Sequence, residues 1–249
     1  MKYGILSDCH CNYEGLKAAS EMLLENGASK LLCLGDVVGY GALARDCIEY
    51  ITSNFEFSLA GNHDFALLDM KKSKNYNKYA IEALKMNKLN LDESHLSWLE
   101  SLVLKKSWDE DGLFLQFTHS HPKDYKNWCY YPEDLFYSIK DKEDKVSLSF
   151  YGHTHIPGIS LSSQTGFFEE PDFGVPYDFS LNVSETIVIN VGSCGQPRDG
   201  DYRVCGVLLD TIEKSVTFLR TSYELKKNQK SIRDAGLSEY LAQRLTLGK

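Results

Sequence analysis

Over the first sixty residues, short apolar runs alternate with stretches in which apolar positions recur every three to four residues. The runs at 2–7, 31–34 and 55–60 predict strands, and the stretches 13–26 and 42–53 between them predict helices. Strand and helix in alternation imply βαβ units and a parallel sheet. Residues 76–101 read as two helices, the second opening at Asp92 and placing Leu96, Trp98, Leu99 and Leu102 on its apolar positions. From 113 onward the pattern changes to short strands at 113–118, 147–151, 157–162, 186–190, 204–210 and 215–221, separated by Gly, Pro and Asn/Asp turn signals, with one helix near 132–139. A second sheet packed on the first is the expected result. The tail returns to helix at about 223–235, stopped by Gly236, and again from Ser238 until just before Gly248. No repeat, low-complexity tract or linker interrupts 1–249, so one α/β domain is expected.

Composition narrows the partners. The 249 residues carry 35 acidic and 27 basic side chains, a formal charge of −8, which argues against a general nucleic-acid or anionic-membrane surface. No apolar stretch approaches transmembrane length and no signal-peptide core precedes the first strand, so a cytoplasmic protein is expected. Seven cysteines at irregular spacings do not suggest a disulfide framework, and reduced thiols are the default.

The chemistry gathers at the ends of strands. Ser7-Asp8-Cys9-His10-Cys11-Asn12 follows the first run; in an extended chain Asp8 and His10 share one side, and Cys9 and Cys11 the other. Gly35-Asp36, Gly61-Asn62-His63-Asp64, His119 and Gly152-His153-Thr154-His155 each follow a further apolar run. In open α/β sheets sites form at the carboxyl ends of strands, so the five sets are expected to converge on one crevice. Five of the seven histidines lie in these segments and His121 lies two residues beyond one of them; only His95, on a predicted helix, stands apart. Asp8, His10, Asp36, Asn62, His119, His153 and His155 are too many donors for one tetrahedral ion and suit two ions sharing a carboxylate. Mixed oxygen and nitrogen donors favour Mn, Fe, Zn or Co over Ca or Mg. Two such cations clamp the oxygens of a phosphoryl group, which makes phosphate-ester hydrolysis the natural chemistry.

Taken together, these five ordered motifs resemble the calcineurin-like metallophosphoesterase superfamily. Gly35-Asp36-Val37-Val38-Gly39-Tyr40-Gly41, the stretch from Asn190 to Asp201 and the tail from Ala235 to Leu245 look like its small prokaryotic branch. The resemblance implies a four-layer αββα sandwich, with two mixed β-sheets flanked by helices. It also implies a first ion on Asp8, His10, Asp36 and His155 and a second on Asp36, Asn62, His119 and His153. His63 would then act beside the ions, stabilising the transition state or protonating the leaving oxygen, while a metal-bridging hydroxide attacks in line. In the Ser/Thr protein phosphatases of this superfamily the loop after Gly-Asp carries an Asp and an Arg; here Gly39 and Tyr40 stand in those places, leaving Asp64 as a conjectural partner for His63. Cys11 stands where Gly is usual, and His121 where a small residue is usual.

Three further residues have two readings each. Arg198 either contacts a phosphate oxygen or pairs with Asp199 or Asp201; His121 either reaches substrate or the outer metal shell, or faces solvent; Tyr40 either stacks on a substrate ring or packs in its loop. Cys9 and Cys11 read as small packing residues. The expected function is a dinuclear metal-dependent phosphoesterase acting on a small phosphomonoester or phosphodiester, including a nucleotide. The alternatives are a non-catalytic scaffold on the same fold, or a Ser/Thr protein phosphatase.

Overall fold

The computed structural model describes residues 1–122, 125, 126, 128, 146–161, 169–180 and 186–249; the helix expected near 132–139 lies outside them. Strands β1 (Lys2–Leu6), β2 (Lys30–Cys33) and β3 (Phe57–Ser58) run parallel, connected by helices α1 (Tyr13–Glu25) and α2 (Ala44–Asn54). Two strands from the far end of the chain, β10 (Val204–Asp210) and β11 (Ser215–Thr221), and the short β8 (Pro176–Asp178) complete this sheet in the order β3-β2-β1-β10-β11-β8. The second sheet has the order β4-β5-β6-β9-β7 and comprises β4 (Lys105–Glu110), β5 (Leu113–Thr118), β6 (Val146–Tyr151), β9 (Thr186–Asn190) and β7 (Gly158–Leu161). Each sheet mixes parallel and antiparallel pairs, and helices flank them.

The alternation of side chains explains the layering. Tyr3, Ile5, Leu32, Val207 and Leu209 point from the first sheet into a common core with Leu115, Phe117, Leu148, Phe150, Ile187 and Ile189 of the second. Their neighbours Leu6, Leu31, Cys33 and Leu208 point the other way, onto Leu16, Ala19 and Leu23 of α1 and Cys47, Ile48 and Ile51 of α2. Burial on both faces is why β1, β2 and β10 read as continuous apolar runs. A third cluster joins α4 (Lys78–Leu89) to the C-terminal helices α6 (Leu225–Asp234) and α7 (Glu239–Thr246), with Tyr40 among its members.

Four elements were not anticipated from the pattern. β4 is an edge strand of largely exposed Lys, Asp and Glu, which guard a sheet edge but carry no period-two signal. β8 is only three residues long. Helix α3 (Asn62–Leu68) begins within the Gly61-Asn62-His63-Asp64 set, and a 3-10 turn follows at Met70–Ser73. The other helix of this region, α5 (Glu93–Ser101), opens after Asp92 as expected, with the Asp92 carboxylate accepting from the backbone N–H of Ser94 and His95.

Candidate metal centre

All five ligand segments leave the carboxyl ends of strands: β1 ends at Leu6, β2 at Cys33, β3 at Ser58, β5 at Thr118 and β6 at Tyr151. Asp8 and His10 share one side, as alternation predicts, while Cys9 and Cys11 are buried in the apolar cluster beneath α1 and α2. The chain is not extended there, however. Asp8 (φ 57°), His10 (45°), Cys11 (56°), Asp36 (52°), His153 (64°) and His155 (62°) are all left-handed, a conformation that costs a non-glycine residue about 1–3 kcal/mol. Backbone bonds from Asp8 N to Gly35 O, His10 N to Asp36 O and Cys11 N to Val37 O hold these turns in place. They bring Asp8 and His10 onto one point with Asp36, His153 and His155.

The donors meet in a fully buried cluster. Asp8, His10 and His155 present ligand atoms within 4.8 Å of one another, as do Asp36, His119 and His153, and also His10, Asp36 and His63. The Nε2 atoms of His10 and His155 stand 3.1 Å apart, His155 Nε2 lies 3.2 Å from Asp8 Oδ1, and His119 Nε2 lies 3.4 Å from Asp36 Oδ2 and 3.3 Å from Asn62 Oδ1. Each ring is oriented from behind. Nδ1 of His10 donates to Val38 O, of His119 to Leu34 O and of His155 to Gln196 O, while His153 uses Nε2 toward Trp128 O and leaves Nδ1 for the cluster. A backbone carbonyl on one ring nitrogen fixes the tautomer that offers the other nitrogen's lone pair.

That arrangement needs a cation. Two imidazole lone pairs facing each other at 3.1 Å repel, and Asp8 Oδ1 is buried without a hydrogen bond. Burial alone would raise the two carboxyls, but His155 and then His119 hold Asp8 well below the usual carboxylate range, and His119 and then His63 do the same for Asp36. Burial drives His10 well down, and drives His153 down to about 3 with help from His119. His119 alone goes up, to about 9, because Asp36 and Asp8 outweigh its burial. A single imidazolium therefore balances two carboxylates, and a divalent ion binding there displaces its proton. The donor set fits metal.

The sequence from residue 1 to 157 matches the family model of calcineurin-like phosphoesterases. The chain belongs to this family. It is 33% identical to the uncharacterized protein MJ0912 of Methanocaldococcus jannaschii, over 98% of this chain and 97% of the relative. The crystal structure of a metallophosphoesterase from Sphaerobacter thermophilus superposes with a TM-score of 0.83 at 30% identity, covering 100% of this chain and 99% of that one. The fold is also similar to that of the hypothetical protein PH1004 of Pyrococcus horikoshii OT3, with a TM-score of 0.75 at 17% identity and coverage of 100% and 98%.

Around the ligands of this calcineurin-like phosphoesterase, several residues take places the sequence did not settle. Asp64 is no partner of the His63 ring. Its two oxygens accept four backbone N–H groups, from Asp36, Gly61, Val37 and Val38, and so clamp the two ligand loops together. Burial first and the charge of Asp36 second push its carboxyl up to about 7, against the pull of those donors. Replacing Asp64 with Ala strands four buried donors, and urea unfolding of the metal-free protein should show a loss of about 3–5 kcal/mol. A loss under about 1 kcal/mol would mean that the loops hold without it.

His63 is buried with its ring 4.8 Å from those of His10, Tyr40 and Tyr76, and a Cβ at position 39 would strike its Nδ1, which makes no hydrogen bond among the described residues. Gly39, at φ 93°, is therefore required twice over. Arg198 does not pair with Asp199 or Asp201; those acids bind Arg220 and, for Asp201, Arg203, while Arg198 donates to Gln196 Oε1 at 3.0 Å and stands over Tyr40 at 5.8 Å. Tyr40 is packed against both His10 and His63. His121 is fully buried, edge-on to Tyr151 at 5.7 Å, so it does not face solvent.

A cleft of about 430 Å³ opens over the centre, lined by Tyr40, Asn62, His63 and His153 together with Phe65, Lys72, Tyr76 and Trp128. The sequence does not single out these aromatic residues, since Phe65 lies on the unanticipated α3 and Tyr76 and Trp128 lie outside helices and strands. Lys72 is exposed and lies over the Phe65 ring at 4.6 Å.

Proposed function

We propose that the protein is a dinuclear metal-dependent phosphoesterase acting on a small phosphomonoester or phosphodiester. The observation that carries the reading is the buried meeting of Asp8, Asp36 and four histidines whose free ring nitrogens all face inward. Asp8, His10, Asp36 and His155 would hold one ion, and Asp36, Asn62, His119 and His153 the other, with Mn, Fe, Zn or Co suited to the donors. When bound, two such ions supply positive charge to the phosphoryl oxygens and lower the pKa of water to the neutral range.

The chain's own residues complete the reaction. The cleft admits one small ester and has Asn62, His63 and His153 along the side nearest the centre. Arg198 stands over Tyr40, behind that lining, and its charge is felt at both His63 and His155. His63 would hold or deliver the proton that the leaving oxygen requires. Burial first and Arg198 next bring its pKa down to about 4, and a bound phosphoryl dianion works in the opposite direction, so the ring becomes a proton carrier with substrate in place. Gly39 and Tyr40, standing where the protein phosphatases carry Asp and Arg, favour a small ester over a phosphoprotein.

Metal analysis of the purified protein beside an assay on paired aryl phosphomonoester and phosphodiester substrates, with Mn²⁺ added and after chelation, tests this. The expected result is about two metals per chain and turnover that the chelator removes. Little metal and no turnover after reconstitution would overturn it.

A further inference from the structure

Among the described residues, Asn62 is the one proposed ligand whose outer side is held by a side chain from beyond the five ligand segments. The four histidines lean on backbone carbonyls. Asp8 Oδ2 accepts from His153 N at 2.9 Å, and Asp36 Oδ1 accepts from His63 N at 2.8 Å. Asn62 Nδ2 instead donates to the hydroxyl of Tyr76 at 2.5 Å, 14 residues further along the chain. The other end of the same amide, Oδ1, faces inward, 3.3 Å from His119 Nε2.

The chemistry of a primary amide gives that outer contact its weight. An amide that offers its oxygen to a cation turns its NH₂ away from the charge, and the NH₂ then needs an acceptor. Asn62 is buried, and the Tyr76 hydroxyl is an anchored acceptor for it. The backbone N–H of Tyr76 donates to Ser73 O at 2.9 Å, and the next residue, Asn77, caps α4 by accepting from Ala80 N at 3.0 Å. The Tyr76 ring lies 4.8 Å from that of His63. It packs against both the cluster beneath α1 and α2 and the one that joins α4 to the C-terminal helices. A hydroxyl fixed at that spot holds the amide with its nitrogen outward and its oxygen toward His119.

We infer that Tyr76 is a positioning residue for the second ion: its hydroxyl holds the Asn62 amide in the orientation that offers Oδ1 as a ligand. The inference rests on the dinuclear reading for what Asn62 binds. Its consequence is selective. The first ion's ligands Asp8, His10 and His155 are braced by backbone groups, so they do not depend on the hydroxyl. The second ion's ligand Asn62 depends on a single side chain in the stretch between the 3-10 turn and α4, and that side chain lines the cleft. Groups that orient a metal ligand from behind contribute to affinity almost as the ligand does.

Calorimetric titration of the metal-free protein with Mn²⁺, beside the Tyr76→Phe variant, reads this without relying on turnover. Phenylalanine keeps the ring against His63 and removes only the hydroxyl. The unaltered protein should bind two ions. Tyr76→Phe should bind the first as tightly and the second about 10–100-fold more weakly. The Mn²⁺ concentration that gives half-maximal turnover should rise by the same factor. Two ions bound as tightly by Tyr76→Phe as by the unaltered protein would overturn the inference and leave the phosphoesterase reading intact. So would an equal weakening of both ions, which is a general loosening of the site rather than an effect through Asn62. Fewer than two ions in the unaltered protein would sink the dinuclear reading and the inference with it. Two ions without ester turnover would sink the phosphoesterase alone, and the Tyr76→Phe titration would still decide the role of the hydroxyl.

Discussion

Asp36→Asn should empty the metal centre and abolish hydrolysis together. Asp36 Oδ2 lies 3.6 Å from His10 Nε2 and 3.4 Å from His119 Nε2, so the one carboxylate faces donors of both proposed ion sites. Its other oxygen is held at 2.8 Å by the backbone N–H of His63, which leaves little freedom to turn. Asparagine keeps the volume but removes the charge that two cations would share, and only one of its side-chain atoms is an acceptor. Disturbing a mere supporting contact of a metal ligand costs about 10–100-fold in affinity or activity, so loss of the shared ligand should exceed that. Metal content should fall below half that of the unaltered protein, and turnover by about 10³-fold or more, with circular dichroism unchanged. A variant that kept both its metal and its turnover would show that the centre is not built around Asp36.

His63→Ala should separate what Asp36→Asn joins. Residue 63 supports Asp36 through its backbone N–H, which alanine retains, so the ligand frame survives the change. The ring itself packs between His10, Tyr40 and Tyr76 and reaches the cleft. A positioned proton carrier contributes about 10²–10⁴-fold, and turnover should fall by that much while metal content stays the same. The loss should be smaller for esters whose leaving group is a stable anion, since these need less protonation. His63 also lies within ligand distance of His10 and Asp36, so the result has a clear contrary. Loss of metal from His63→Ala equal to that from Asn62→Ala would make His63 a ligand.

Much of this site is legible in the sequence because it is organised by strand ends. β1 and β2 are apolar on both faces and β5 and β6 on one, so they stand out, and the polar residue that follows each is conspicuous by contrast. What aims those residues is not legible. Alternation along an extended chain groups Asp8 with His10, yet the grouping is achieved through left-handed turns, for which only Gly announces itself in a sequence. Asp64 could be found as a polar residue beside ligands, but three of its four backbone partners come from a loop 26–28 residues away, and no local pattern encodes them.

The interlacing of the two ends of the chain sets an order of events during synthesis. β10 pairs with β1 at the middle of the first sheet, Cys194 N donates to Ser7 O, and Ser193 Oγ donates to Asp8 O across a separation of 185 residues. The frame around Asp8 and His10 is thus incomplete when those residues leave the ribosome. At about 5–20 residues per second it waits roughly 10–40 s for its partner to emerge. During that interval the early donors are loose side chains on a nascent chain, open to whichever ion or chaperone meets them. The centre is therefore a late product of folding, completed only when both ends of the chain have met.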